Sequence, residues 1–215
     1  IRINKVAKIS KQRLVLNCDS DCDRKALKKA IEETDTQITV KTLASKKPLL
    51  KIVGVITELS NTKIEEAVFK QNASLLKNVE DTEKSFRVLR RTRGRTDLLT
   101  NIIAEVSPPV WQALKDNKLR IGYQIVLAVD QSPLVQCFRC CGFGHKATVC
   151  KNSEQCGWCA EEHDTRSCPV KKDGPTTCVN CKRSKGTDTS HPAYSSACPE
   201  RTKWDAIARE SVSYC

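Results

Sequence analysis

From residue 48 to 129 the apolar positions switch repeatedly between the strand period of two and the helix period near 3.6. PLLKIVGVI (48 to 56) is a nearly unbroken apolar run, the mark of a buried strand. TKIEEAVFKQN (62 to 72) gathers Ile64, Ala67 and Val68 on one helical face and opens with a capping box from Thr62 to Glu65. SFRVLRR (85 to 91) and DLLTNIIAEVS (97 to 107) read as strands joined by a turn at Arg93 and Gly94. SPPVWQALKDNK (107 to 118) reads as a helix with Ser107 as N-cap and Pro108 at its first position. LRIGYQIVLAV (119 to 129) alternates Ile121, Tyr123, Ile125 and Leu127, as a strand with one buried face would.

The order over 48–132 is therefore β-α-β-β-α-β, the ferredoxin-like order shared by the RNA-recognition motif (RRM). Upstream, residues 13–18 read as a strand and 19–33 as a helix with an acidic start and apolar Ala26, Leu27, Ala30 and Ile31. Residues 36–43 read as a second strand. Residues 1–47 thus read as a βαβ element, a candidate partial second RRM-like unit. The expected class is α+β. This topology hosts many unrelated functions, so function must be argued from sites. An RRM stacks bases on aromatics of its first and third strands, and KIVGVI and TNIIAEV offer none. The sheet is not expected to read bases by stacking, and Phe86, Trp111 and Tyr123 read as core.

Beyond residue 136 the pattern is set by cysteine. CFRCCGFGHKATVC (137–150) offers Cys137, Cys140, His145 and Cys150; CGWCAEEHDTRSC (156–168) offers Cys156, Cys159, His163 and Cys168. The third set, over 178–198, is Cys178, Cys181, His191 and Cys198, with an expanded middle loop. Cys141 competes with Cys140 for the first set, but only Cys140 keeps the Cys-x2-Cys pair shared by all three. Three thiolates and one imidazole are the closed tetrahedral set of a structural zinc, which leaves no open position for catalysis. Three zinc ions per chain are expected. Segments this short bury too little apolar surface to order alone, and metal binding supplies roughly 10–16 kcal/mol in small zinc peptides. A disulfide framework fits poorly: the 13 cysteines are odd in number and it would not explain a histidine in every unit. A short helical tail is expected over 199–215.

Charge refines the picture. The net charge is +12, of which residues 1–136 carry +9 and residues 137–198 carry +3. Each zinc on three thiolates adds −1, so the loaded array is nearly neutral and the positive field belongs to the N-terminal part. That sign favours a polyanion partner. No apolar run is long enough for a membrane span, and a reducing compartment, cytoplasmic or nuclear, is expected. The chain lacks methionine even at position 1, so Ile1 and Cys215 read as cuts within a longer chain.

Lys84, Arg87, Arg90, Arg91, Arg93 and Arg95 lie in KSFRVLRRTRGR without one acidic residue. A hairpin there exposes Arg91, Arg93 and Arg95 together at its turn, and guanidinium forks suit phosphate. Base contacts are expected from the first knuckle, where Phe138 and Phe143 form a platform flanked by Arg139 and Lys146. In the second knuckle Trp158 is a candidate, beside repelling Glu161, Glu162 and Asp164; in the third, Lys182, Arg183 and Lys185 suggest backbone binding or a structural role.

PLLKIVGVI with its following helix, QCFRCCGFGHKATVC, CGWCAEEH, CVNC and HPAYSSACP together resemble the Gag-like first-open-reading-frame protein of insect-type non-LTR retrotransposons. The resemblance covers roughly residues 45–200 and implies an RRM-like domain followed by three CCHC zinc knuckles. It also implies a chaperone-like protein that coats element RNA into a ribonucleoprotein with the reverse transcriptase, and self-association. The expected partner is single-stranded RNA, with DNA as a second candidate. The alternative is a cellular zinc-knuckle regulator of RNA or DNA. No enzyme is expected, since every histidine is claimed by zinc and no nucleophile motif or phosphate-cradling loop occurs.

Overall fold

Two antiparallel sheets organise the chain, one in each of two units, Ile1–Ala44 and Ser45–Cys215. The computed structural model describes residues 1–10, 13–18, 21–34, 38–41, 46–77, 79, 85–170, 174–186 and 188–214. In the first unit β1 (Ile3–Ser10) pairs with β2 (Arg13–Cys18), and α1 (Asp21–Thr34) follows. This corrects the expected βαβ order to ββα. Residues 38–41 of the expected second strand are not in a strand, and the rest of 36–43, apart from those four, lies outside the described residues. The partner of β2 is the segment immediately upstream, separated from it by two residues in sequence, a closure that costs less loop entropy than a crossover.

The second unit runs β3 (Leu49–Ile56), α2 (Asn61–Gln71), β4 (Phe86–Arg93), β5 (Leu99–Val106), α3 (Pro108–Leu114), β6 (Lys118–Ile121) and β7 (Gln124–Asp130). The strands form one mixed-connection sheet in the order β4-β5-β3-β7-β6, with every neighbouring pair antiparallel. Leu50, Ile52, Ile102, Ala104, Val106, Val126 and Ala128 share the face covered by Ile64 and Val68 of α2 and Val110 and Leu114 of α3. In β3 an irregularity between Ile52 and Val55 includes Gly54 at φ +77, whose N–H donates to Asn101 Oδ1 at 3.1 Å. It resets the alternation so that Val55 is buried as well.

The expected strand over 119–129 is two strands. The chain turns at Gly122, φ +62, and Tyr123, so Leu119 of β6 pairs with Val126 of β7 and Ile121 with Gln124, and Leu119, Ile121, Val126 and Ala128 are the buried set. Tyr123, read as core, is fully exposed at that turn, and Ile125 and Leu127 are exposed on the outer face. Glycine in the left-handed region permits the reversal that alternation alone conceals. Phe86 is buried, edge-on to Phe69. Trp111 is half-buried and donates from its indole nitrogen to Asp130 at 3.1 Å.

Two caps differ in detail from expectation. α2 is capped by Ser60, whose hydroxyl accepts from Lys63 N–H at 3.3 Å, while Glu65 accepts from the Val88 N–H at 2.8 Å. Ser107 does cap α3 by position, with Pro108 following, but its hydroxyl makes no capping bond and the helix stops at Leu114. Near the C-terminus, α4 (Val179–Arg183) lies within the third cysteine set, and α5 (Pro199–Arg209) forms the helical tail. No helix among the described residues is long and apolar enough to cross a membrane.

Candidate metal centres and nucleic-acid interface

Each of the three Cys-Cys-His-Cys sets converges. Cys137, Cys140, His145 and Cys150 place their ligand atoms within 4.8 Å of one another, as do Cys156, Cys159, His163 and Cys168, and Cys178, Cys181, His191 and Cys198. A zinc tetrahedron with Zn–S near 2.3 Å and Zn–N near 2.0–2.1 Å has S–S edges of about 3.8 Å and S–N edges of about 3.6 Å. Measured separations are 3.7 Å for Cys178–Cys198, 3.6 Å for Cys181–Cys198 and 3.8 Å for Cys159–Cys168. The imidazole Nε2 atoms of His145, His163 and His191 lie 3.4, 3.5 and 3.5 Å from Cys140, Cys159 and Cys181. The donor sets therefore fit one zinc each. The other ring nitrogen of His145 faces the Phe143 carbonyl at 3.3 Å, a contact that fixes ring orientation and leaves Nε2 for the metal.

The thiols titrate unevenly before any metal charge is counted. Burial opposes ionisation of Cys140, but the Gly142 backbone and the Asn152 side chain outweigh it and bring the thiol down to about 6. Burial likewise opposes ionisation of Cys156, and the Cys159 and Trp158 backbone donors lower it to about 7. Burial and then the neighbouring thiols push Cys159 up to about 11 and Cys181 up to about 12. In the second set Cys156 ionises readily while Cys159 resists, a repulsion that a divalent cation removes.

The knuckles form one packed body. Between the first and second, Gln155 N–H donates to Arg139 O at 2.8 Å and the Cys141 thiol meets Gln155 O at 3.2 Å. Between the second and third, Thr177 N–H reaches Trp158 O at 2.8 Å and Ala193 N–H reaches Gly157 O at 2.7 Å. The third closes on the first through Asn180 Nδ2 to Cys141 O, 2.9 Å, and Arg183 Nη1 to Cys140 O, 3.0 Å. Gln136 ties the Cys141 and Ala193 carbonyls together at 3.0 and 2.8 Å. Tyr194 packs its ring against Gly157 and its hydroxyl against the Cys141 thiol at 3.4 Å. Cys141 is thus a buried link among three units, outside the ligand set, and burial pushes its thiol up.

This body is anchored to the sheet by α5 and the residues after it. Arg209 bonds Asp205 at 2.6 Å and Asp130, at the end of β7, at 2.5 Å. Asp205 also accepts from Ser132, and Arg201 donates to Gln136 at 3.0 Å. Tyr214 packs against Trp111 with centroids 4.7 Å apart and the rings tilted by 58°, and Lys46 bridges Ser211 and Ser213 through backbone bonds of 2.9 Å.

The nucleic-acid candidates separate under this packing. Phe138 is 76% exposed, whereas Phe143 is buried against Trp204, centroids 6.1 Å apart. The expected two-ring platform is therefore corrected: α5 covers Phe143, and Phe138 faces Tyr194 instead at 5.9 Å. Arg139 and Lys146 are exposed beside it; Trp158 is half-buried, its indole nitrogen buried without an acceptor among the described residues. On the hairpin, Arg87, Arg90, Arg93 and Arg95 are exposed, with Arg93 3.2 Å from Asp97. Arg91 is withdrawn from the expected cluster: it is half-buried and donates to Asn61 Oδ1 and Thr57 O, each at 2.9 Å, and to Leu59 O. A bulge between Val88 and Arg90 separates the faces, because Arg90 pairs across to Ile103 and Arg91 to the buried Ile102. Lys84 lies outside the described residues. Sequence spacing carried no sign of the Tyr194, Cys141, Asn180 and Gln136 contacts, since each joins segments that no local period relates.

The chain is similar to two Drosophila melanogaster proteins. Over 158 residues it is 26% identical to the uncharacterized 50 kDa protein in type I retrotransposable element R1DM, covering 73% of this chain and 33% of the relative. Over 201 residues it is 25% identical to the nucleic-acid-binding protein from mobile element jockey, covering 88% of this chain and 34% of the relative. The chain thus spans about a third of the length of these relatives. No family model and no solved structure matches it. Read with the geometry above, the chain is a homologue of proteins from the R1 and jockey retrotransposable elements, carrying three Cys3His clusters that fit CCHC zinc knuckles.

Proposed function

We propose that this chain is a nucleic-acid-binding segment of a mobile-element protein, that it binds single-stranded RNA in preference, and that it packages element RNA into a ribonucleoprotein. The observation that carries the reading is the set of exposed arginines on β4 and its turn, Arg87 and Arg90 on one face of the strand and Arg93 and Arg95 toward the turn, held in the same folded unit as three zinc-fit clusters. Guanidinium forks would grip phosphates without regard to sequence, and the exposed Phe138 ring would stack an unpaired base. The sheet domain is read as RRM-like, from its strand order and its two helices on one face. Its role would be to position the arginine edge. The jockey relative, by its name a nucleic-acid-binding protein, supports the same reading.

The role inferred is binding, with zinc as a structural ion. Cys137 through Cys198 would hold three ions whose chemistry is to neutralise thiolates and cross-link the loops. Association with reverse transcriptase and self-association belong to the same packaging reading. The test uses zinc-loaded chain with labelled single-stranded RNAs of increasing length, read by fluorescence anisotropy. Packaging requires affinity that rises with length, cooperatively, across unrelated sequences. A strong preference for one short motif with no length dependence would overturn packaging and favour a sequence-specific regulator.

A further inference from the structure

The exposed Phe138 ring meets a residue of the third knuckle, Tyr194, with centroids 5.9 Å apart. A second residue of that knuckle, Arg183 at the end of α4, donates to the carbonyl of Cys140, two positions after Phe138 in sequence, at 3.0 Å. That bond lays the basic end of α4 against knuckle 1, although Lys182, Arg183 and Lys185 belong in sequence to knuckle 3. All three side chains are exposed, and none makes an ion pair among the described residues. Arg183 uses one of five donor hydrogens on Cys140 and keeps the others for a ligand.

We propose that knuckle 3 completes the site of knuckle 1: one composite pocket in which an unpaired base stacks on Phe138 and the neighbouring phosphate is received by Lys182, Arg183 and Lys185. This rests on the nucleic-acid reading above and deepens it by fixing the path of the strand. Knuckle 2 is adjacent in sequence to knuckle 1, yet its Glu161, Glu162 and Asp164 repel phosphate. A strand leaving Phe138 therefore turns toward α4. The third cluster then has a positioning task, because its ligand Cys181 sits within α4 and fixes where the lysines stand. The ligand class is single-stranded, since a paired base has no free face to offer Phe138.

The test compares the zinc-loaded full chain with K182S/K185S, F138A and the triple combination, each titrated against a fluorescein-labelled twelve-residue oligouridylate over a series of salt concentrations. K63S/K70S removes two exposed charges from α2 and serves as reference. Loss of two phosphate contacts lowers the log–log salt slope by about 1.4, and F138A weakens binding on the order of ten-fold. Because one nucleotide would span both groups, the combined loss falls short of the product of the separate losses. If K182S/K185S behaves like K63S/K70S, or multiplies independently with F138A, the composite site is wrong while the broader reading stands. Absence of binding by the parent chain at any salt would instead remove the nucleic-acid reading and the composite site together.

Discussion

At position 91 a guanidinium from an arginine-rich, acid-free segment is spent on Asn61, Thr57 and Leu59, tying the loop after β3 to β4. Arg90, one residue away, is exposed on the other face. The two arginines should therefore fail in different assays. Arg91→Ser is expected to cost about 1–3 kcal/mol in urea unfolding, because it strands two carbonyls and an amide oxygen that now accept charged donors. Arg90→Ser is expected to leave stability within about 0.5 kcal/mol and to weaken RNA binding. A matching loss of stability in both would put Arg90 in the scaffold as well. The same logic applies to Gly157: its missing Cβ leaves room for the Tyr194 ring, so Gly157→Ala should destabilise the knuckle body by about 1–3 kcal/mol, read by thermal unfolding of the zinc-loaded chain. Unchanged stability would mean that Tyr194 is free to move.

Among the elements, the β-α-β-β-α run from 48 to 114 and the three ligand sets were legible in sequence, because both are local: a hydrophobic period or a ligand spacing. The arrangement around Tyr123 was not. Ile121, Tyr123, Ile125 and Leu127 alternate as one strand would, and only the left-handed Gly122 marks the turn that divides β6 from β7. Tyr123→Ser should consequently change stability by no more than about 0.5 kcal/mol by urea unfolding, whereas a core tyrosine would cost several times that. Phe143 was misread for a different reason. Its cover is Trp204 on α5, sixty positions downstream, and no local pattern announces such a contact. The ββα order of the first unit was hidden because β1 is lysine-rich and shows no clean apolar alternation.

For the whole molecule, the array is one packed body whose order is expected to depend on metal. Chelation should disorder 137–198 while the sheet core built on Leu50, Ile52 and Ile102 keeps its hydrogen-exchange protection. Protection lost equally in both regions would show that the sheet cannot stand without the knuckles. Protons compete with zinc for the thiolates, so acidification should release the metal and reproduce the chelated state. Charge would divide the work across the molecule: with three zinc ions the array is nearly neutral overall, and the main grip on phosphate would fall to the exposed arginines of β4 and its turn. The salt dependence of RNA binding tests that division most directly. Replacing Arg87, Arg90, Arg93 and Arg95 by serine in the zinc-loaded chain removes four phosphate contacts, which should lower the log–log slope by about 2.8. A slope equal to that of the parent chain, with the variant folded and binding RNA as before, would contradict the account.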